Sequence, residues 1–238
     1  MNNNSCFAKS TLLSWNSFGK KITEICGEGD FRGKFLFRGQ RDSNWELQSS
    51  FDRSHGGDLV ERERAFEHAF SLFEKALHFG DYPQRSKEDK IGLAQHFGLP
   101  TRTLDWSYSP YVALFFACSG SLENSLDKRP ALFALNVEKL SKFVSTDEVS
   151  TISYSPRENI RLRNQKGCFT QLKGAYSSLD QFCSTKADKT IISKLTISKS
   201  VVRNVLFHLS SMDITYERLF PGYEGMAKQA WLDYLLDN

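Results

Sequence analysis

Polar side chains of the kind found in binding sites interrupt an otherwise apolar stretch of this chain. The stretch spans residues 93–117 and reads LAQHFGLPTRTLDWSYSPYVALFFA. If the segment after its Gly-Leu-Pro is extended, alternation places Thr101, Thr103 and Asp105 on one face. Polar groups in such an apolar context need hydrogen-bond partners when they are buried. The stretch therefore predicts either a structural lock or a ligand site.

A second candidate, Arg38, ends the strand-like segment KFLFRGQ at residues 34–40. Its guanidinium is planar and suits a phosphate or a carboxylate, which it can hold by two parallel hydrogen bonds. A buried arginine without a partner is costly, so we expect it to meet either Asp105 or a ligand. The residues that we predict to contact a ligand are Arg38, Gly39, Gln40, His96, Thr101, Arg102 and Thr103.

Hydrophobic periodicity gives the elements that must position these side chains. Helices are predicted at about 11–26, 59–79, 87–97 and 110–118, from about 201, and at the C-terminus; strands are predicted at 34–40, 101–106, 131–137, 167–174 and 190–198. The irregular mixture of strands and helices predicts an α+β fold in a single domain, with a mixed or split β-sheet core and surrounding helices. Trp45 and Leu47 are expected to point inward. The C-terminal helix is expected to carry on one stripe Met226, Ala227, Ala230, Trp231, Tyr234 and Leu235.

Composition narrows the class of protein without naming a function. The 238 residues carry a net charge of only +3, which gives no strong signal for nucleic acid or membrane binding. The five cysteines form no C-x-x-C pair, which favours reduced thiols in a cytoplasmic protein and predicts no metal site. No secretion signal is visible, and the longest apolar run is too short to cross a bilayer.

Four stretches together resemble the FRG domain, a family named for its Phe-Arg-Gly motif. They are FRGQ (37–40), the 93–117 stretch, NQKGCFTQL (164–172) and LFPGYEGMAK (219–228). The resemblance runs from about residue 36 to 225, and we expect residues 1–238 to form one such domain. Thr103 and Glu224 depart from the residues most common at their positions in the family.

The order of these motifs is also distantly similar to that of ADP-ribosyltransferases. That resemblance implies NAD as the ligand, with Arg38 on the first strand, Asp105 on the second, and Gln165 at the catalytic place before the third. Glutamine lacks the charge of the usual glutamate, so Asp105 or Glu158 is an alternative catalytic residue. An aromatic platform for the nicotinamide would come from Tyr108, Phe116 or Phe169.

Three hypotheses follow from the sequence. The first is an ADP-ribosyltransferase-like enzyme that modifies a protein or nucleic acid, in the setting of a toxin or an anti-phage effector. The second is a non-catalytic module that binds a nucleotide or nucleic acid through Arg38, Arg102 and the basic stretch 186–203. The third is a protein-interaction domain in which Arg38 and Asp105 are purely structural.

Overall fold

A computed structural model of the chain provides the fold. It describes residues 8–80, 82, 85–143, 148–152, 160–173, 176–186, 188 and 190–238. Glu158, one of the alternative catalytic residues, lies outside the described residues, as does Lys189 of the basic stretch.

Within the described residues, seven strands form one mixed sheet in the order β1-β7-β4-β2-β3-β6-β5. The strands are β1 (Ala8–Leu12), β2 (Phe35–Gln40), β3 (Thr103–Ser107), β4 (Ala131–Asn136), β5 (Val149–Ile152), β6 (Gly167–Leu172) and β7 (Ile192–Ile197). β1 runs parallel to β7, and the other neighbouring strands are antiparallel.

The sheet is nearly divided between β2 and β3. These two strands pair at Phe37 and Ser107 alone, whereas β2 pairs with β4 along its whole length and β3 likewise with β6. Continuing the same register would place Asp105 opposite Gly39, but the ladder has already ended there. The sheet therefore consists of two well-paired halves that diverge at the strand ends that carry Arg38 and Asp105.

Helices cover both faces of the sheet. They are α1 (Phe18–Cys26), α2 (Ser50–Ser54), α3 (Leu59–Phe79), α4 (Lys87–His96), α5 (Pro110–Leu122), α6 (Val137–Phe143), α7 (Ile160–Asn164), α8 (Leu179–Ser184), α9 (Val202–Ser211), α10 (Tyr216–Leu219) and α11 (Tyr223–Asp237). Phe35 and Phe37 of β2 share a core with α5 and α9, while Leu36 belongs to a core with Trp106 and Phe182 on the other face. A smaller core joins α2, α3 and α4.

Local sequence explains where the principal helices begin. Asp58 and Glu61 form a reciprocal capping box at the start of α3, which satisfies two backbone N–H groups. Ser109 caps α5 by accepting from the Val112 N–H, and Pro110 occupies its first turn. Gly98 adopts a φ of 96° just beyond α4, which a residue with a Cβ rarely tolerates.

The predicted α+β class, with its mixed sheet and surrounding helices, is confirmed. The helix predicted at 59–79 has those bounds, and the helix predicted at 110–118 continues to Leu122. The helix predicted at 11–26 is wrong in its first part, because residues 8–12 pair with β7 as an edge strand and α1 begins at Phe18. The sequence patterns also missed β5 and the short helices α2, α6, α7, α8 and α10.

One expectation about burial is wrong: Leu47 is fully buried, but Trp45 is 44% exposed and its ring lies under the Arg41 guanidinium. Three residues of the stripe predicted on α11, Met226, Trp231 and Tyr234, are each more than half exposed. The residues that α11 buries are Gly225 and Leu232.

The described cysteines are free thiols: Cys118, Cys168 and Cys183 are buried, and Cys26 is half-buried. Across the described residues, no helix has both the length and the apolar character needed to cross a membrane. The same part of the chain brings together no group of three or more histidine, cysteine, aspartate or glutamate side chains that could hold a metal ion.

Candidate functional site

A cavity of about 1220 Å³ opens where the two halves of the sheet diverge. Its walls come from β2, β3, the start of β6, α4 with the segments on both sides of it, α5, α7 and the segment between α10 and α11. The polar side chains of interest on these walls are those of Arg38, Gln95, His96, Asp105, Arg161, Gln165 and Glu224. Ligand cavities in proteins typically measure about 300–1,000 Å³, so this one has room for a dinucleotide.

Arg38 bridges the gap between β2 and β3. One terminal nitrogen donates to the backbone carbonyl of Asp105 at 2.8 Å and lies 3.6 Å from the Asp105 carboxylate. The guanidinium thus satisfies a carbonyl that a continued β-ladder would have paired. Burial lowers the pKa of Arg38, and the adjacent Asp105 carboxylate opposes that effect. Its Nε is buried and makes no hydrogen bond within the described part of the chain.

The Asp105 carboxylate is held from behind by Gln95, a residue on the last turn of α4. The Gln95 amide nitrogen donates to the carboxylate, and its oxygen accepts from the hydroxyls of Thr101 (3.0 Å) and Thr103. The two hydroxyls also lie 2.7 Å apart. A threonine hydroxyl can donate or accept, but the carboxylate oxygen accepts, so it is Asp105 that turns the amide N–H of Gln95 toward itself and leaves the amide oxygen facing the two threonines. The Asp105 side chain remains 64% exposed on the cavity wall.

The alternation predicted for Thr101, Thr103 and Asp105 is therefore present, since one amide contacts all three side chains. The two threonines are fully or almost fully buried and lie behind the cavity wall rather than on it. Their place in the structure is to orient Gln95, so any contact of theirs with a ligand stays a prediction.

Arg102 points away from the cavity and forms a buried ion pair with Asp52. Its Nε lies 3.2 Å from the carboxylate, and the two side chains are 3% and 1% exposed. Asp52 also accepts from the Ser49 hydroxyl at 2.6 Å. This pair ties α2 to the segment entering β3, and the structure gives Arg102 no access to the cavity.

Gly39 and Gln40 mainly contact other parts of the fold. Gly39 borders the cavity, but a Cβ there would overlap the Ala113 carbonyl oxygen of α5 and come within 2.6 Å of the Ala117 nitrogen. Glycine is thus needed for the close approach of α5 to β2. Gln40 is buried, donates to the Glu46 carbonyl at 3.3 Å and does not line the cavity.

Gln165 lines the cavity just before β6, as its predicted position requires. Its amide nitrogen donates to the Leu219 carbonyl of α10 at 3.3 Å, and its backbone carbonyl accepts from the Ser107 hydroxyl at 2.8 Å. The residue therefore joins β3 to α10. The structure brings Arg38, Asp105 and Gln165 to one cavity, while the catalytic role of each stays a prediction.

A cluster of charges on an aromatic ring borders the cavity through Arg161, Phe220 and Glu224. The Arg161 guanidinium lies 4.0 Å and the Lys228 ammonium 4.2 Å from the centre of the Phe220 ring. Glu224 pairs with both, at 3.6 Å from Arg161 and 2.7 Å from Lys228. Partial burial and the nearby Arg161 lower the pKa of His96, with Glu224 acting in the opposite direction. The imidazole is thereby biased toward its neutral form.

Aromatic and sulfur groups complete the lining. Phe116 and Phe169, two of the predicted nicotinamide platforms, border the cavity; Tyr108, the third, does not. Cys168 also borders it, but burial raises the pKa of its thiol to about 12. A thiolate is the reactive form of cysteine, so this residue is unsuited to nucleophilic chemistry near neutral pH.

The described residues of the basic stretch 186–203 (186, 188 and 190–203) do not present a continuous cationic face. Lys199 donates to the Asp127 carbonyl at 2.7 Å, and Arg203 donates to the Leu235 and Leu236 carbonyls at 2.6 and 2.8 Å. Lys194 contacts the Ser43 carbonyl. These side chains satisfy the C-terminal or loop carbonyls of their own fold, which weakens the case for a nucleic-acid surface there.

Gln95 and Arg161 are among the cavity residues that sequence reasoning missed. Gln95 lies within the motif that drew attention first, yet nothing in the spacing indicated that its amide would reach three side chains across the turn. Arg161 follows a stretch with no strong periodicity, and the short α7 that carries it was not predicted.

Comparison with known proteins gives one match. Residues 33–125 match the model of the FRG domain family. The match covers less than half of the chain and supports the FRG family for the part that holds Arg38, Gln95, Asp105 and α5. Gln165, Arg161 and Glu224 lie beyond it. No curated protein and no solved structure matches the chain.

Proposed function

We propose that the cavity binds NAD and that the protein is an ADP-ribosyltransferase-like enzyme. The observation that carries this proposal is the meeting of Arg38 and Asp105 on the wall of a cavity large enough for a dinucleotide. Arg38 lines this cavity, and its planar guanidinium suits an anionic group such as a phosphate.

The arrangement of strands supports the same proposal. The three segments aligned with the ADP-ribosyltransferase pattern lie on β2, on β3 and immediately before β6, and these strands are neighbours in the sheet. The divergence of β2 from β3 opens the cavity at the point where the first two segments meet. Phe116 and Phe169 would offer aromatic surface to a nicotinamide or adenine ring.

In the proposed reaction, Arg38 holds an anionic group of NAD and Asp105 is the charge-stabilising residue. Breaking the nicotinamide–ribose bond builds positive charge on the ribose, which a preorganised carboxylate stabilises. Asp105 suits this task because Gln95 orients its carboxylate while most of its side chain stays open to the cavity. The acceptor would be a nucleophile on a protein or nucleic acid, and a toxin or phage-defence role would follow from such modification.

The test combines binding with turnover. The wild-type protein is titrated with NAD by calorimetry and then assayed for nicotinamide release and for label transfer from NAD to cell extract. Asp105→Asn should abolish most nicotinamide release, whereas Asp30→Asn should not, because Asp30 pairs with Arg32 on the exposed surface. Absence of both NAD binding and nicotinamide release in the wild-type protein would overturn the proposal. NAD binding without release or transfer would instead identify a non-catalytic nucleotide-binding module.

A further inference from the structure

We infer that Arg161, with Lys228 and the start of α11, forms a second anion subsite that takes a phosphate group of the ligand. This inference rests on the proposed function, since it assigns a part of the same cavity to a part of a nucleotide. It adds Arg161 to Arg38 as a cationic group that borders the same cavity.

The first observation concerns the unused donors of Arg161. Its ion pair with Glu224 measures 3.6 Å, well beyond the 2.7–2.9 Å of a charge-assisted hydrogen bond. Within the described residues, its other contact is with the face of Phe220. The side chain is 33% exposed and borders the cavity. The guanidinium is thus held in place by the ring, with donors left for a ligand.

The second observation concerns charge. Glu224 makes its close contact with Lys228, at 2.7 Å, and this hydrogen bond lowers the pKa of Glu224. Two permanent cations therefore share one carboxylate, which leaves the cluster with a surplus positive charge. An anion bound at Arg161 would balance that surplus.

The third observation is the way α11 begins. Its N-cap is Gly222, whose φ of 94° and missing side chain leave the first turn without a side-chain cap. α11 is 15 residues long, and both Pro221 and Glu224 at its start border the cavity. The backbone N–H groups at a helix start favour a negative charge, so the helix and Arg161 act in the same direction. A phosphate matches this combination better than a neutral group does.

The experiment uses two probes, NAD and inorganic pyrophosphate, titrated into the full chain by calorimetry. Arg161→Ala should weaken the binding of both probes about tenfold, the loss expected for a hydrogen bond to a charged group. Arg163→Ala is the matched control, because Arg163 lies on the same short helix, is exposed and does not line the cavity. It should leave both affinities unchanged.

Two further variants exclude misfolding as the cause of a loss of affinity. Glu224→Gln removes the carboxylate that competes with the ligand, so pyrophosphate should bind several-fold more tightly and with a steeper dependence on salt. Arg161→Lys keeps the charge and loses the planar fork, and it should recover part of the affinity. Equal pyrophosphate binding by the wild-type protein, Arg161→Ala and Glu224→Gln would overturn the subsite.

The outcomes for the two proposals are distinguishable. Pyrophosphate binding that depends on Arg161, without NAD binding, would retain the subsite and overturn the NAD assignment. NAD binding that is unaffected by Arg161→Ala would retain the NAD assignment and overturn the subsite. Failure of the wild-type protein to bind either probe would overturn both.

Discussion

Asp105→Asn separates a structural lock from a ligand site. The Asp105 side chain is 64% exposed, and its carboxylate lies 3.6 Å from Arg38, so water screens the pair. Exposed ion pairs contribute about 0–1 kcal/mol to stability. The stronger contact, from Arg38 to the Asp105 backbone carbonyl at 2.8 Å, does not involve the side chain and survives the change. We therefore expect the free energy of unfolding to fall by at most about 1 kcal/mol.

Arg102→Met provides the contrasting variant. It breaks a pair whose members are 3% and 1% exposed and leaves the Asp52 charge buried. Removing one partner of such a pair typically costs about 3–5 kcal/mol. For a domain of this size each kcal/mol shifts the melting temperature by about 2–4 °C. The expected decreases are thus about 0–4 °C for Asp105→Asn and roughly 6–20 °C for Arg102→Met.

The assay is urea unfolding at pH 7 together with NAD titration and nicotinamide release. Asp105→Asn should unfold nearly as the wild-type protein does and yet lose most of its nicotinamide release. A loss of stability in Asp105→Asn as large as that in Arg102→Met would refute the reasoning, because the carboxylate would then be structural. Normal release by Asp105→Asn would refute its assignment as the charge-stabilising residue.

Three further predictions concern the surroundings of the cavity. Gln95→Leu should lower the free energy of unfolding by about 1–3 kcal/mol, because the buried threonine hydroxyls lose their acceptor. Gln95→Glu should shift the acidic limb of the pH–activity profile to higher pH, because two carboxylates would then lie side by side. An unchanged profile would contradict this. Gly39→Ala should lower the free energy of unfolding by about 1–3 kcal/mol or more, because the added Cβ would overlap α5. Gly19→Ala in α1, where the Cβ would meet open space, should raise the free energy of unfolding by roughly 0.5–1 kcal/mol. Equal effects of the two variants in urea unfolding would contradict this. Burial raises the pKa of Asp180 from near 3.8 to about 6. Between those pH values the folded state keeps a proton that the unfolded state releases, so stability falls as the pH rises. Asp180→Asn should remove this part of the pH dependence, and an unchanged slope of unfolding free energy against pH would contradict the prediction.

The parts of the fold that sequence predicted best are those with a strong local cause. The capping box and the long apolar stripe fix α3, and a serine cap, a proline and an apolar sequence on every side fix α5. α11 shows the limit of such patterns. Its aromatic residues have helical spacing, but the helix buries Gly225 and Leu232 instead, and at Gly225 a Cβ would lie 2.8 Å from the Tyr216 carbonyl oxygen of α10. Periodicity gives the element, whereas tertiary contacts select the face.

The candidate site shows the same division between local and long-range information. Alternation along the extended segment correctly grouped Thr101, Thr103 and Asp105, because strand geometry alone determines that grouping. It could not supply Gln95, whose reach depends on how α4 docks against β3. The ion pair of Arg102 is a related case, because its partner, Asp52, lies on a short helix that sequence patterns did not indicate.

The divergence of β2 and β3 gives Arg38 both a structural contact and a position on the cavity. Arg38 is needed structurally because its guanidinium pairs a carbonyl that the interrupted ladder leaves open. The same interruption creates the cavity that Arg38 and the Asp105 side chain border. A continuous β2–β3 ladder would require no arginine at this place and would leave no gap between the strands. The structural contact and the exposed carboxylate are therefore consequences of one feature of the sheet, and a stability assay separates them only when it is paired with a binding assay.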